Sequence, residues 1–313
     1  MKEFSHVPVM PDEVISALNI KENGIYMDGT LGGAGHSRLI ASRLSESGRL
    51  YCFDRDEEAI EAGSAVLKDF GSSVEIIHDN FKNAVGDLKA VGVGGLDGCL
   101  LDLGVSSHQL DDPDRGFSYM QDAPLDMRMD QTKGMTASDL VNGLSEEELT
   151  EIFRDYGEEK FAHRIAAEIT RRREEKKITT TFELNDIIYS SVPKKARIKG
   201  SHPSKRIFQA LRIACNEELS GLGDCLNEII DFLNPGGVLE VITFHSLEDR
   251  IAKKCFMTNE NPCICPPSFP VCTCGRQSKG HCTPRKPVLP TERELEMNKR
   301  SASAKLRVFI KAV

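Results

Sequence analysis

The fold of this chain is decided by residues 24–37, whose sequence is GIYMDGTLGGAGHS. A short apolar strand ends in Asp28 and leads into a glycine-rich turn and the first turn of a helix. Glycines permit positive φ angles and a close approach of the backbone to a ligand. A second apolar stretch follows at residues 49–54 and ends in Asp54. This order predicts a nucleoside-binding βαβ unit, in which the second carboxylate accepts hydrogen bonds from a ribose.

The glycine turn limits the kind of nucleoside that can bind. It lacks the G-x-G-x-x-G fingerprint of dinucleotide-binding turns. An acid directly before the glycines, here Asp28, suits a cationic ligand better than a pyrophosphate. S-adenosylmethionine carries an amino group and a sulfonium but no phosphate, so methyl transfer is the favoured hypothesis. Nucleotide-dependent redox chemistry and a purely structural glycine turn are the alternatives that this stretch leaves open.

The composition is that of an ordinary globular protein. With 313 residues, of which 40% are hydrophobic and 28% charged, one large domain or two are expected. No apolar run approaches the roughly 18 residues of a membrane span, and no signal peptide pattern is present, so we expect a cytoplasmic protein. The net charge is −8, but residues 250–313 carry a local excess of basic side chains. A nucleic-acid partner is therefore not excluded by the acidic total.

Three further apolar stretches extend the strand pattern. Residues 74–78 predict a third strand, residues 96–102 a fourth that ends in Asp102, and residues 238–244 a fifth. Phe81, just after the third strand, either flanks an adenine or belongs to the core. Strands that alternate with helices predict a Rossmann-like α/β fold with a parallel sheet.

The strand pattern is interrupted between residues 110 and 205. Ser145 and Glu148 form a capping box that predicts the start of a helix. A stripe of apolar residues at a spacing of four predicts another helix over residues 158–173. We therefore expect an all-helical substrate-recognition domain inserted into one catalytic domain. The predicted division is 1–109 for the first part of the catalytic domain, 110–205 for the helical insertion, and 206–313 for the second part.

A set of short motifs follows in order along nearly the whole chain. They are His6-x-Pro8-Val9, Asp28-Gly29-Thr30-x-Gly32-x-x-Gly35-His36-Ser37, Asp54-Arg55-Asp56, Leu101-Asp102-Leu103-Gly104-Val105-Ser106-Ser107-x-Gln109-Leu110, Arg115-Gly116-Phe117-Ser118, Leu125-Asp126-Met127-Arg128-Met129-Asp130, Phe208-Gln209-Ala210-Leu211-Arg212-Ile213, Phe244-His245-Ser246-Leu247-Glu248-Asp249-Arg250 and Ser303-Ala304-Lys305-Leu306-Arg307. Any one of them could occur by chance. In this combination the chain resembles the RsmH (MraW) methyltransferases of bacteria.

The resemblance implies a class I S-adenosylmethionine-dependent methyltransferase sheet. It also implies N4-methylation of a cytidine in the decoding region of 16S rRNA, at the position conventionally numbered 1402, with the assembled small ribosomal subunit as substrate. The family often has glycine where this chain has Ala34, and only a need for positive φ would put that position in doubt. The cofactor contacts implied by the resemblance are Ala34, Gly35, His36, Asp54, Phe81, Asp102 and Gln109.

Three residues are candidates for the catalytic step. Cytosine N4 is a poor nucleophile because its lone pair is delocalised, and acceptors for its N–H groups help it to pyramidalise. Asp102 can hold the cofactor, the target amine or both, since no Asp/Asn-Pro-Pro-aromatic motif follows the fourth strand. Phe244 and His245 either line the pocket of a flipped base or serve as a core residue and a helix cap.

The segment 194–206 is strongly basic for so acidic a protein. It contains glycine and proline among its charges, so phosphate contact is favoured over a merely solvated face. The predicted RNA-binding residues are Lys194, Lys195, Arg197, Lys199, Lys205 and Arg206.

A cysteine-rich loop occupies residues 263–282 and contains five of the ten cysteines. With no export signal, disulfides are disfavoured. Thiolates at this density suit a structural zinc ion, and the alternative is free or oxidisable thiols. The predicted metal ligands are Cys263, Cys265, Cys272 and Cys274.

Two other functions compete with methyl transfer. A nicotinamide-dependent oxidoreductase would need the dinucleotide fingerprint that is missing. A ribosome-assembly factor that binds RNA without modifying it would leave Asp28, Gly35, Asp54 and Asp102 without a role.

Overall fold

The computed structural model of the chain describes residues 8–197 and 202–313. Its strands are β1 (Ile25–Asp28), β2 (Arg49–Asp54), β3 (Val74–His78), β4 (Leu96–Asp102), β5 (Leu233–Thr243), β6 (Gly280–Cys282) and β7 (Lys305–Lys311). Its α-helices are α1 (Pro11–Leu18), α2 (Gly35–Ala41), α3 (Glu57–Leu67), α4 (Ala84–Ala90), α5 (Ser107–Asp111), α6 (Ala137–Gly143), α7 (Glu146–Asp155), α8 (Ala162–Glu175), α9 (Thr181–Ser191), α10 (Lys194–Arg197), α11 (Ser204–Asn216), α12 (Leu222–Phe232), α13 (Ser246–Glu260) and α14 (Glu292–Met297).

The strands form one sheet in the order β3-β2-β1-β4-β5-β7-β6. The first five are parallel, whereas β7 is antiparallel to both β5 and β6. The strand order reverses between β1 and β4, and in such sheets a ligand crevice opens beyond the carboxyl ends of the strands at that point. Asp28, Asp54 and Asp102 end three neighbouring strands there. The predicted Rossmann-like α/β fold is confirmed.

Both faces of the sheet are buried in apolar layers. Successive residues of a strand point to opposite faces. Thus Met27 and Leu101 lie in one layer with the apolar side of α12, whereas Tyr26 and Leu100 lie in the other with α1. The consequence is a rigid platform whose carboxyl edge holds the loops after β1, β2, β4 and β5.

Two strands were not predicted from the sequence. β7 alternates apolar Leu306 and Val308 with basic Lys305 and Arg307, a pattern that we interpreted only as a basic segment. Its basic side chains are held by Asp249 of α13, at 3.2 Å from Lys305 Nζ and 2.6 Å from Arg307 Nε. β6 has only three residues, too few for a periodic signal. β5 is also longer than predicted, because it begins at Leu233.

The chain folds as two compact units. The sheet unit comprises residues Met1–Gly104 and Leu219–Val313, and the helical unit comprises Val105–Glu218. The second boundary therefore lies at 218, whereas the sequence suggested 205. The physical reason is that α11 buries Ile207, Phe208 and Leu211 in the core of the helical unit.

The helical unit has its own apolar core. Ser145 caps α7 through the predicted capping box with Glu148. Ile165 and Ile169 are fully buried, as the spacing of four indicates. The helix that carries them, α8, begins at Ala162 and not at 158, because Glu158 has a left-handed φ of 48°. Among the described residues, no helix combines the length and apolarity that a membrane crossing requires.

Candidate functional site

Asp28 organises the glycine turn from inside. Its carboxylate accepts hydrogen bonds from the backbone N–H of Thr30 at 3.1 Å and from Ser37 Oγ at 2.5 Å. The side chain is only 1% exposed, and burial raises the pKa of Asp28 to about 6. Asp28 thus joins the end of β1 to α2 and adds negative charge beneath the turn.

The predicted contacts Ala34, Gly35 and His36 lie at the start of α2. Ala34 has φ 59° and ψ 18°, a left-handed conformation that alanine rarely adopts. Ala34 therefore has the positive φ that, on the sequence, was the one condition that would put this contact in doubt. A side chain on Gly35 would meet the ring of Pro8 at 3.1 Å. His36 is largely buried, with Nε2 3.8 Å from Asp102 Oδ2.

Asp54 connects the end of β2 to the same turn. One carboxylate oxygen accepts a hydrogen bond from the Gly32 N–H at 2.8 Å, and the other accepts from the Asp56 N–H at 3.0 Å. Burial raises the pKa of Asp54. The carboxylate predicted to meet a ribose therefore also fixes the backbone around it.

Phe81 lies near the turn, at the margin of the core. Its side chain is partly buried against the apolar layer that contains Met27. A Cβ added to Gly29 would stand 2.9 Å from the Phe81 Cβ. The structure thus places Phe81 beside the glycine turn and, at the same time, in contact with the core.

Asp102 has the most unusual environment of the strand-end acids. Its N–H donates to Thr30 Oγ1 at 2.7 Å, which couples the end of β4 to the glycine turn. Its Oδ1 is buried and accepts no hydrogen bond from the described residues. Burial, together with the nearby carboxylates of Asp28, Glu248 and Glu294, raises the pKa of Asp102 to about 8. A hydrogen-bond donor beside this carboxyl would satisfy Oδ1, and a cation would favour the ionised form of Asp102.

The loop after β5 brings a second group of side chains to this edge. The Phe244 ring comes within 3.5 Å of where a Cβ on Gly104 would stand, so it borders the loop after β4. His245 is the N-cap of α13, and its Nδ1 accepts from the Glu248 N–H at 3.5 Å. Glu248 accepts in return from the Phe244 N–H at 3.0 Å and lies 3.2 Å from His245 Nε2. The cap that we considered as an alternative role for His245 is therefore present.

Gln109 belongs to the helical unit. Its side-chain carbonyl accepts from the Ser106 N–H at 3.0 Å, and its own N–H donates to Ser106 Oγ at 3.2 Å. The side chain is buried. The structure thus shows Gln109 as the second half of the capping box that begins α5.

The basic segment lies on α10 and the start of α11. Lys194, Lys195 and Lys205 are exposed. The Arg197 guanidinium lies 4.2 Å from the centre of the Tyr189 ring, a cation–π contact, and it donates to the Val192 carbonyl at 2.7 Å. Arg206 is exposed but lies 3.8 Å from the Glu159 carboxylate. Lys199 lies outside the described residues.

The cysteine segment follows α13. The sulfur atoms of Cys263, Cys265, Cys272 and Cys274 lie within 4.8 Å of one another. The fifth cysteine of the loop, Cys282, lies in β6 and is not part of this cluster.

Sequence reasoning did not select three residues that shape the site. Thr30 lies within the glycine turn, and its hydroxyl accepts from Asp102. Glu248 follows His245 by three residues, the spacing of a capping box, so a signal was present. Glu294 accepts from the Met10 N–H at 2.7 Å, and no local pattern reveals a contact between residues so far apart in the chain.

Comparison with known proteins identifies relatives along the whole chain. The family described as the MraW methylase family matches residues 3–312. A protein of Agathobacter rectalis named ribosomal RNA small subunit methyltransferase H 2 is 57% identical over 99% of both chains. Proteins named ribosomal RNA small subunit methyltransferase H from Lachnospira eligens and Clostridioides difficile are 56% and 51% identical, each over 98% of both chains.

Solved structures were also compared. An S-adenosylmethionine-dependent O-methyltransferase from Thermotoga maritima has a TM-score of 0.42 at 10% identity, covering 99% of this chain and 69% of that one. An rRNA methylase from Streptococcus thermophilus has a TM-score of 0.40 at 13% identity, covering 97% and 94%.

Proposed function

This chain belongs to the MraW methylase family, and from that premise we propose that it is an rRNA methyltransferase that uses S-adenosylmethionine. More specifically, we propose that it methylates N4 of cytidine 1402 in the decoding region of 16S rRNA. The relatives named above as small subunit rRNA methyltransferases support the first statement. The proposed N4-methylation of cytidine 1402 rests on the resemblance of the sequence motifs to the RsmH (MraW) methyltransferases and on the chemistry of the site.

The observation that carries the proposal is the Asp102 carboxyl, which is half-buried and has a fully buried Oδ1. It ends β4 at the point where the strand order reverses, beside the glycine turn. Its Oδ1 accepts no hydrogen bond from the described residues, and acidic neighbours surround it. Such a carboxyl favours a ligand that brings positive charge and N–H donors.

S-adenosylmethionine fits this arrangement. The positive charges of its ammonium and sulfonium groups compensate the negative charges of the strand-end carboxylates. The residues proposed to hold it are Ala34, Gly35, His36, Asp54, Phe81, Asp102 and Gln109. When bound, the cofactor supplies the electrophilic methyl group.

The residues of this chain would then position the target amine. Asp102 accepts a hydrogen bond from an N–H of the cytosine N4 group, which favours pyramidalisation of the nitrogen. The Phe244 ring provides a stacking face for a base that has left its helix. His245, held by Glu248, fixes the edge of the base. Orientation of the amine removes much of the entropic barrier to an in-line displacement.

The proposed RNA contacts lie in the helical unit and in the basic C-terminal segment. Exposed Lys194, Lys195 and Lys205 offer charges for phosphates, and the exposed Arg206 belongs to the same surface. We assign Arg197 to this group through its contact with the Tyr189 ring, which is 46% exposed. Lys199 completes the basic segment. The substrate that we propose is the assembled small ribosomal subunit, in the cytoplasm.

The test is a methylation assay on small subunits that lack the modification. With labelled S-adenosylmethionine, we expect label in 16S rRNA, and N4-methylcytidine at position 1402 after nuclease digestion and mass spectrometry. Label on another nucleotide would contradict the specific proposal. Absence of label, despite tight binding of S-adenosylhomocysteine and of subunits, would favour an assembly factor that does not modify RNA.

Calorimetry separates the redox alternative. We expect heat of binding with S-adenosylhomocysteine and none with a nicotinamide dinucleotide. The reverse result would contradict the cofactor assignment and, with it, the roles given to the three strand-end carboxylates.

A further inference from the structure

The segment 261–279, between α13 and β6, has no apolar core of its own. All side chains of this described segment are exposed or of intermediate burial. Its large apolar residues are exposed: Ile264 by 65%, Phe269 by 52% and Val271 by 70%. Irregular loops of this length are uncommon in a compact domain unless a specific interaction orders them. Hydrophobic burial does not order this segment.

The four cysteine sulfurs of this segment converge on one point. The Cys272 Sγ lies 3.5 Å from that of Cys263, 3.9 Å from that of Cys265 and 3.5 Å from that of Cys274. The Cys274 and Cys263 sulfurs are 3.9 Å apart. The two remaining pairs are within 4.8 Å. A tetrahedron with zinc–sulfur bonds of about 2.3 Å has edges of about 3.8 Å. The four separations of 3.5–3.9 Å match those edges.

The same distances argue against disulfide bonds. A disulfide needs sulfurs about 2.05 Å apart and pairs them two by two. Here every sulfur has several neighbours at similar distances, and Cys272 has three. Four thiols arranged around one centre are the ligand set of a structural zinc site.

A hydrogen bond to sulfur supports a metal-bound thiolate. The Thr273 N–H donates to Cys265 Sγ at 3.3 Å, and the Thr273 hydroxyl lies 3.6 Å from the same sulfur. Such outer contacts orient metal ligands and stabilise their negative charge. They come from the residue between two of the cysteines, so the loop supplies both the ligands and their support.

We propose that Cys263, Cys265, Cys272 and Cys274 bind one Zn²⁺ as a closed structural site. Each thiol loses its proton to solvent on binding, and the four thiolates complete the coordination. Because no position stays open for water or substrate, the ion has no catalytic role. It fixes the segment 261–279, which the chain cannot fix by apolar packing.

The first test is metal content. The full-length protein, without a histidine tag and purified without chelator, should contain one zinc per chain by mass spectrometry of the elements. Cys263→Ser and Cys274→Ser should each lose most of it. Cys282→Ser is the matched control, because Cys282 lies in β6 outside the cluster, and it should retain the zinc. Unchanged binding of S-adenosylhomocysteine by the two cluster variants would show that they are folded.

Two further measurements do not depend on the variants. Replacement of zinc by Co²⁺ in the wild-type protein should produce the visible bands of a tetrahedral cobalt–thiolate site. Chelation should expose Arg276 and Lys279 to trypsin, while the sheet unit stays resistant. Zinc that is absent, or that is retained in both cluster variants, would overturn the proposal. So would stoichiometric iron, or intact disulfides among the four cysteines in protein purified without oxidant.

Discussion

At the residue scale, the balance between stability and function is clearest at Asp102. Its pKa is about 8 in the folded protein, against 3.8 for an unperturbed carboxyl. The folded state therefore favours the protonated acid, so the contribution of this group to stability is complete below pH 4 and is lost as the pH rises through 8. Without a bound cation, ionisation of Asp102 at higher pH therefore destabilises the folded protein.

The Asp102→Asn variant tests this balance. It removes the ionisation, so its free energy of unfolding relative to the wild type should increase by about 3–4 kcal/mol between pH 5 and pH 8, since the wild type loses about 1.4 kcal/mol per pH unit over nearly three units. Urea unfolding at both pH values measures the difference. The same variant should lose methyl transfer. A stability difference that is constant with pH would show that Asp102 ionises normally in the folded protein.

A second prediction at this scale concerns the backbone conformation of Ala34. Its left-handed backbone strains an alanine, but its methyl group is fully buried. In Ala34→Gly the relief of strain should offset the lost burial and the greater freedom of the unfolded chain, so stability should change by less than about 1 kcal/mol. Ala34→Val should lose more than about 2 kcal/mol, because a β-branched residue tolerates positive φ poorly. Thermal unfolding of both variants checks this, and an equally stable valine variant would contradict it.

At the scale of elements, the start of α13 decides between two roles of His245. As an N-cap it contributes about 1 kcal/mol, which His245→Ala should lose. His245→Asn keeps a capping side chain, so its stability should stay close to that of the wild type. If His245 also contacts the target base, both variants should lose methyl transfer while binding S-adenosylhomocysteine normally. Wild-type turnover in the asparagine variant would leave His245 with the cap alone.

The short helix α10 carries the clearest prediction about RNA. Lys194 and Lys195 are exposed, so their replacement by alanine should not destabilise the protein. If both contact phosphates, the double variant should bind RNA more weakly. The slope of log affinity against log salt should fall by about 1.4, at roughly 0.7 per phosphate on single strands. A salt titration followed by fluorescence anisotropy measures it.

Lys176 and Lys177 provide the matched control. They are also adjacent, exposed lysines of the helical unit, and Lys176 is already paired with Glu183. Their double alanine variant should keep the wild-type slope. Equal losses in the two double variants would mean that RNA responds to net charge and not to the segment 194–206.

At the scale of the whole molecule, cofactor binding should be read out as stability of the sheet unit. A ligand at 100 times its dissociation constant stabilises a protein by about 2.7 kcal/mol. S-adenosylhomocysteine at that level should raise the melting temperature and slow amide exchange in the loops after β1, β2 and β4. The segment 261–279 should exchange as before, since its proposed zinc is independent of the cofactor. Exchange that is unchanged in those three loops would place the ligand elsewhere.

Much of the molecule follows from local patterns in the chain. Short apolar runs that end in Asp28, Asp54 and Asp102 predicted three strands of the parallel sheet and the edge where its ligands should bind. The strand β7 was missed because its alternating residues were interpreted only as a basic segment, in which Arg307 pairs with Asp249. The unit to which α11 belongs could not be found in this way, because an apolar face on a helix does not say which of two cores it will join.

The sequence alone determined the fold class, the family and the types of side chain at the strand ends, because hydrophobic periodicity and motif order are properties of neighbouring residues. Only the tertiary structure decided that Ala34 is left-handed, that Asp102 Oδ1 accepts no hydrogen bond from the described residues, and that the sulfurs of the four cysteines selected from the sequence lie within 4.8 Å of one another. These features depend on which distant groups surround an atom. Burial, electrostatic environment and interatomic distances are set by those surroundings, and a local pattern of residues does not determine them.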